Sequence, residues 1–410
     1  MAASAHLNAY SLMLSVSQRG QLLPPSPYRH LTPYAEAARQ RGLTVHPLNI
    51  GQPDIETPPL MRAAVQQADI RVLEYGPSAG FDSYRQTLAA YYQRQRLNVT
   101  ADDIIVTTGG SEAISFALLA CLNPGDEFIV PEPFYGPYQG FAVATDTRLV
   151  AVSSYLEDDF ALPPVAAFEA LITPRTRAIL LCNPNNPTGY VYGRAELEQL
   201  AGLCLRHNLY LLADEAYREF CYDGAFTSAL ELPGAEQHVV LIDTISKRYS
   251  ACGARIGALV TKNKALRDVV FKLAQLRVCP PGLGQLLAQA AADLPADYFD
   301  HTKAEYQARR DLMVRRLQAM PGVRCPEPRG AFYVLCHLPV DDAGRFAQWL
   351  LEDFDLRGET IMVSPAAGFY ATPGLGRQQM RLAYVVSHDI IERAMNCLEA
   401  ALQQYPGRQE

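Results

Sequence analysis

Lysine is scarce in this sequence. Only five of its 36 basic residues are lysines, at 247, 262, 264, 272 and 303. A lysine set in an apolar, small-residue segment therefore stands out. Basic charge is not in excess: 36 basic against 43 acidic residues leave a net charge of −7. That balance argues against a nucleic-acid surface and against a polybasic membrane anchor. Long apolar runs are missing too, so no membrane-spanning helix is expected. The short apolar patch Ser11–Val16 has Arg19 on the wrong side for a signal peptide, and no export signal is read there. The nine cysteines are an odd number, and no two stand at Cys-x-x-Cys spacing. They read as reduced thiols of a cytoplasmic protein, with neither a zinc site nor a disulfide frame. The eight histidines include no His-Glu-x-x-His pattern, so no metal is expected.

What is present is an ordinary globular composition, 49% hydrophobic and 19% charged, over 410 residues. That length accommodates two domains with sizeable cores. No repeat, low-complexity tract or long linker interrupts it. Residues 1–47 read as an arm with a helix around Tyr34–Arg41. From about residue 55, short apolar strands alternate with helices. The strand candidates are Ile104–Thr107, Glu127–Val130, Arg148–Val152, Ala178–Cys182, Leu209–Ala213, Val239–Asp243 and Ala258–Thr261. Helix candidates are Ser111–Leu122, Arg194–His207 and Lys264–Leu276. This alternation predicts an α/β fold, with a mostly parallel sheet covered on both faces. Beyond it, a long helix around Thr302–Met320 and strands at Ala331–Cys336, Thr360–Val363 and Met380–Tyr384 precede a helix at Asp389–Gln404. They read as a smaller α+β domain packed with the N-terminal segment. The expected division is 1–50 (arm and part of the small domain), 51–295 (large domain) and 296–410 (small domain).

The chemistry concentrates where strands end, which is where open α/β sheets bind ligands. Asp243–Gly257 carries Thr244, Ser246, Lys247 and Arg255. An aldehyde cofactor with a phosphate tail needs such a set: an amine for its carbon, and hydroxyls plus positive charge for its phosphate. An exposed loop could carry the same residues. Thr107–Ala113 turns a strand into a helix through Gly109 and Gly110, which suits an anion at the helix N-terminus. A plain turn capped by Ser111 is the alternative. Asn183–Gly189 is a long, proline-stiffened loop presenting Asn186, whose amide could bond a phenolate-type oxygen. Asp214, in Asp-Glu-Ala-Tyr217, ends an apolar strand; a half-buried carboxylate needs a cation, such as a protonated pyridine, or else caps a helix. Arg381 sits in an apolar strand pattern and could grip a carboxylate with both arms, or serve an internal salt bridge.

These motifs, in this order, resemble the class I/II aminotransferase family of fold-type I pyridoxal-phosphate enzymes, over roughly residues 45–400. The resemblance implies that Lys247 forms the Schiff base with pyridoxal 5'-phosphate and then acts as general base. It implies that Asp214 pairs with the pyridine nitrogen, and that Asn186 and Tyr217 bond the ring hydroxyl. Gly110, Ser111, Glu112, Thr244 and Arg255 would hold the phosphate, with Ser246 assisting. Tyr135, in Pro133-Phe-Tyr-Gly-Pro-Tyr138, matches the aromatic that stacks on the ring. Tyr75 resembles the tyrosine that reaches a neighbouring subunit's phosphate, implying a homodimer. Gly51 and Arg381 resemble the pair that meets the substrate α-carboxylate. Arg277 lies near the place where aspartate-specific relatives carry an arginine for the distal carboxylate. Relatives usually have Pro-Gly-x-x-Phe where this chain has Pro365-Ala-Ala-Gly-Phe369.

The implied activity is a cytoplasmic, ping-pong aminotransferase. It would move an amino group from an L-amino acid, dicarboxylic and aspartate-like, to a 2-oxo acid such as 2-oxoglutarate. Alanine or aromatic donors stay open, as do a lyase, decarboxylase or synthase on the same fold. An effector-binding regulator would need a basic DNA-binding module, for which about 45 residues before the fold leave little room.

Overall fold

The computed structural model describes residues 15–26 and 29–409. Its strands are β1 (Thr44–Pro47), β2 (Ile104–Thr107), β3 (Glu127–Glu132), β4 (Arg148–Ser153), β5 (Thr176–Cys182), β6 (Tyr210–Asp214), β7 (Val239–Thr244), β8 (Gly257–Val260), β9 (Tyr333–His337), β10 (Glu359–Met362), β11 (Ser364–Pro365) and β12 (Gln379–Ala383). Seven of them form one sheet in the order β2-β8-β7-β6-β5-β3-β4. Every pairing in it is parallel except those of β8, which runs antiparallel to β2 and β7. The sheet is therefore mostly parallel, as the strand–helix alternation predicts.

Period-two alternation explains why these strands are apolar throughout. Leu180, Leu212 and Ile242 pack on one face, with Ala113, Ile114 and Ala117 of the helix Gly110–Cys121. Ile179, Leu181 and Leu211 pack on the other, with Leu197, Leu200 and Leu203 of the helix Arg194–His207. Helices on both faces leave no polar side for the strands to show. Local signals set the helix ends. Asn263 caps the helix Lys264–Leu276, its side chain accepting from the Leu266 N–H at 3.0 Å. Asn208 closes Arg194–His207 in the left-handed region, with φ 51°.

The remaining strands form two small sheets, β1-β10 and β11-β12-β9. β1 pairs in parallel with β10, Thr44 opposite Glu359. The N-terminal segment is thus built into the C-terminal region. Leu31, Ala35, Val45 and Leu48 share a core with Met313, Phe346 and Ile391. Tyr217 and Phe220, just past β6, belong to the same core. The ends of β5, β6 and β7 therefore open at the junction between the large sheet and this second core. Among the described residues, no helix is long and apolar enough to cross a membrane.

Candidate active site

The end of β6 places Asp214 in the interior, 6% exposed. Its carboxylate accepts from the Tyr138 hydroxyl at 2.8 Å and from the Ala216 N–H at 3.2 Å. Burial pushes the Asp214 carboxyl up to about 6, against these two bonds, which favour its charged form. Tyr138 sits in the first turns of the helix Pro137–Ala144. Tyr135, just before that helix, stands edge-on to the Tyr138 ring at 5.4 Å. Burial holds the Tyr135 phenol above its ordinary range.

The end of β7 leads into the short helix Ile245–Arg248, with Thr244 at its N-cap. The Thr244 hydroxyl accepts from the Ser246 N–H at 3.2 Å and lies 2.8 Å from the Ser246 hydroxyl. Lys247 Nζ donates to the Gly51 carbonyl at 2.7 Å and lies 3.8 Å from Cys252 Sγ. Buried charges hold this segment from below. Asp243 pairs with Arg248, accepts from the Tyr92 hydroxyl at 2.6 Å, and accepts from the Thr244 N–H at 2.7 Å. The lysine thus rides on a short helix fixed by one ion pair whose partners, Asp243 and Arg248, flank it in sequence.

The end of β2 turns through Gly109, whose φ is +77°. That backbone conformation favours glycine, and a Cβ there would fall 2.4 Å from an Arg255 guanidinium nitrogen and displace it. The first turn of the following helix faces the cavity through Gly110 and Ser111. Arg255 donates to the Cys252 carbonyl at 3.0 Å and to the Thr108 carbonyl at 3.4 Å. From the second core, Arg381 of β12 is 2% exposed and donates to Asn186 Oδ1 at 3.0 Å and to the Asn49 carbonyl. Its guanidinium stacks 4.4 Å from the Tyr333 ring centre. The Tyr333 and Tyr217 hydroxyls are 2.8 Å apart. Gly51 approaches so closely that a Cβ would meet the Tyr333 hydroxyl at 1.8 Å.

One cavity of about 330 Å³ gathers Gly51, Gly110, Ser111, Tyr135, Asn186, Asp214, Tyr217, Thr244, Ser246, Lys247, Arg255 and Arg381. Three residues singled out in the sequence stand outside its lining. The Glu112 carboxylate accepts from the Thr108 N–H at 2.8 Å and pairs with Arg277 at 3.1 Å. Its side chain is engaged there and does not line the cavity. Arg277 is held by that pair and by the Ser78 and Val106 carbonyls, at 3.0 and 3.2 Å. Its terminal nitrogens are thus engaged within the protomer, and its side chain does not line this cavity. Tyr75 is 84% exposed. The cavity also has lining residues that sequence reasoning passed over: Tyr333, Cys252, Ser26 and Arg29. Tyr138 belongs with them as the partner of Asp214. Tyr138 closes a motif that was in view, but nothing in its spacing says that its hydroxyl meets Asp214.

The donor set fits a planar aromatic cofactor with a cationic ring nitrogen and an anionic tail. A buried carboxylate raised in pKa awaits a cation at one end. Hydroxyls, a guanidinium and a helix N-terminus suit a phosphate at the other, and an amine lies between the elements that supply them. Comparisons with known proteins agree. The aminotransferase class I and II family matches residues 44–398. An aspartate/prephenate aminotransferase of Thermus thermophilus is 31% identical over 392 residues, 93% of this chain and 97% of that one. An aspartate aminotransferase of Thermotoga maritima is 30% identical over 94% of this chain and 98% of its own. Among solved structures, Thermus thermophilus aspartate aminotransferase with maleate superposes with a TM-score of 0.85 at 29% identity, covering 95% of this chain and all of that one. An alanine aminotransferase from Pyrococcus furiosus also gives 0.85 at 29% identity, over 94% and 99%. The chain belongs to the class I and II aminotransferases.

Proposed function

We propose that this aminotransferase binds pyridoxal 5'-phosphate through Lys247. It moves the amino group of a dicarboxylic, aspartate-like L-amino acid to a 2-oxo acid such as 2-oxoglutarate, in two half-reactions of a ping-pong cycle. The observation that carries the reading is the shared cavity of Lys247, the buried Asp214 and the anion cup of Thr244, Ser246, Arg255 and the Gly110 helix terminus. When bound, the cofactor supplies an electron sink for negative charge developing at the substrate α-carbon. Asp214 keeps a proton on the ring nitrogen, and an approaching cation reverses the burial cost that now raises its pKa. Asn186 and Tyr217 would donate to the ring oxygen, and Tyr135 would cover the ring face. Arg381 takes the α-carboxylate in its planar fork. Lys247 Nζ, freed when the substrate amine takes its place on the cofactor, would remove the proton from the substrate α-carbon as general base.

The dicarboxylic preference draws on the aspartate-named relatives and on the Thermus structure holding maleate. A homodimer is supported by an exposed apolar strip, Val72, Leu73 and Tyr75 with Leu276 and Val278, joined where Ser78 Oγ donates to the Val278 carbonyl at 2.6 Å. Nine free cysteines suit the reducing cytoplasm. We place the large domain at 51–295, and the small domain at 296–410 with residues 1–50.

The test is an absorbance spectrum before and after aspartate alone. A visible cofactor band that moves to the near ultraviolet, and returns on adding 2-oxoglutarate, supports the reading. A visible band indifferent to aspartate but responsive to alanine redirects it to an alanine donor. Release of ammonia or carbon dioxide marks a lyase or decarboxylase instead.

A further inference from the structure

We infer that Arg29, on the turn ahead of the helix Thr32–Gln40, meets the distal carboxylate of the substrate. The inference rests on the dicarboxylate aminotransferase reading above. Four cationic side chains line the cavity: Lys247, Arg255, Arg381 and Arg29. Three are engaged by the protein. Lys247 donates to the Gly51 carbonyl, Arg255 bridges the Cys252 and Thr108 carbonyls, and Arg381 is buried against Asn186 and Asn49. The Arg29 side chain has no hydrogen bond or ion pair among the described residues. Asp214 is the one acidic residue lining the cavity among those described. It is buried and held by Tyr138 and Ala216, so no lining carboxylate is left to neutralise Arg29.

The arm that carries Arg29 is anchored. The Arg29 N–H donates to the Ser26 carbonyl at 3.3 Å, and its own carbonyl accepts from the Thr32 N–H at 3.0 Å. Leu31, Ala35 and Ala38 then bury against the second core. An exposed guanidinium is thus presented to the cavity from a fixed base. Its planar fork takes a carboxylate through two parallel bonds. Arg277, the other arginine considered for this duty, is tied to Glu112 and two carbonyls outside the cavity.

The experiment compares kcat/KM for aspartate and for alanine, with 2-oxoglutarate as acceptor, in the parent enzyme, Arg29→Gln and Arg29→Lys. The aspartate-to-alanine ratio is expected to fall by about 10- to 100-fold in Arg29→Gln, a loss typical of one charge-assisted bond. Most of it should lie in the KM for aspartate, and Arg29→Lys should recover part. An unchanged ratio in Arg29→Gln, with the parent preferring aspartate, overturns the inference and leaves the aminotransferase reading intact. A parent enzyme that turns over alanine but not aspartate overturns the Arg29 role and the dicarboxylate preference together. A parent that carries the cofactor band yet turns over neither overturns the Arg29 role and the dicarboxylate preference, and redirects the search to other donors.

Discussion

Asp214→Asn should have opposite effects on the cofactor-free protein and on the enzyme. Burial raises the Asp214 carboxyl from its ordinary value of 3.8 to about 6. Holding it charged in the fold therefore costs about 3 kcal/mol at neutral pH. The sign follows from proton counting. Below about pH 4 the carboxyl is protonated folded and unfolded, and no penalty exists. Between about pH 4 and 6 the folded state keeps a proton that the unfolded chain has lost, so stability falls as pH rises. Above about pH 6 the penalty is complete. Asparagine is nearly isosteric and stays neutral; its one oxygen can keep the Tyr138 bond while the bond from the Ala216 N–H is lost, which trims the gain. The cofactor-free variant should therefore be more stable than the parent by up to about 3 kcal/mol at pH 8, the gain vanishing near pH 4. Turnover should fall by about 100- to 1000-fold, as when one preorganised electrostatic partner is removed. Denaturant unfolding of both cofactor-free proteins from pH 4 to 8, beside steady-state rates, measures this. Parallel stability curves would refute the burial argument, and unimpaired turnover would refute the role at the ring nitrogen.

Three further perturbations separate the site from its scaffold. Gly51→Ala puts a Cβ 1.8 Å from the Tyr333 hydroxyl; the Tyr217–Tyr333 bond and the Lys247 contact must shift, and kcat/KM should drop at least about 10-fold, a cost of about 1.4 kcal/mol or more. Arg277→Ala removes the partner of a largely buried Glu112 and should lower unfolding stability by about 1–3 kcal/mol, while the aspartate-to-alanine ratio stays put; a changed ratio would return Arg277 to substrate reading. Tyr75→Ala, at a residue 84% exposed in the protomer, should weaken cofactor retention in dialysis while leaving protomer secondary structure intact, as circular dichroism would show; unaltered retention would count against its reach into a neighbouring site.

The central sheet was legible because its strands are buried on both faces. Ile104–Thr107 and the helices Arg194–His207 and Lys264–Leu276 stand where apolar runs and caps place them. β1 was not read, because Thr44–Pro47 holds only one aliphatic residue and its partner β10 lies more than 300 residues away. The helix Asp82–Arg94 was missed for a local reason: it follows Phe81, which offers no side-chain cap. The segments facing the cavity were legible because each joins a strand end to an unusual residue set. Side-chain destinations were not. A spacing argument cannot say that the Arg277 guanidinium is taken by Glu112 and two carbonyls, or that the arm brings Arg29 to the cavity. The first depends on residues 78–112 meeting the end of the helix Lys264–Leu276, the second on long-range packing of residues 31–48 against the C-terminal core.

The account stands on Lys247, one of only five lysines. Borohydride reduction of the cofactor-loaded protein, followed by peptide mass spectrometry, tests it most directly. The account predicts a single reduced cofactor adduct, on the peptide that contains Lys247, and none in Lys247→Ala, which should stay folded and lose turnover. An adduct on Lys262, Lys264, Lys272 or Lys303, or turnover near the parent rate in Lys247→Ala, would contradict it.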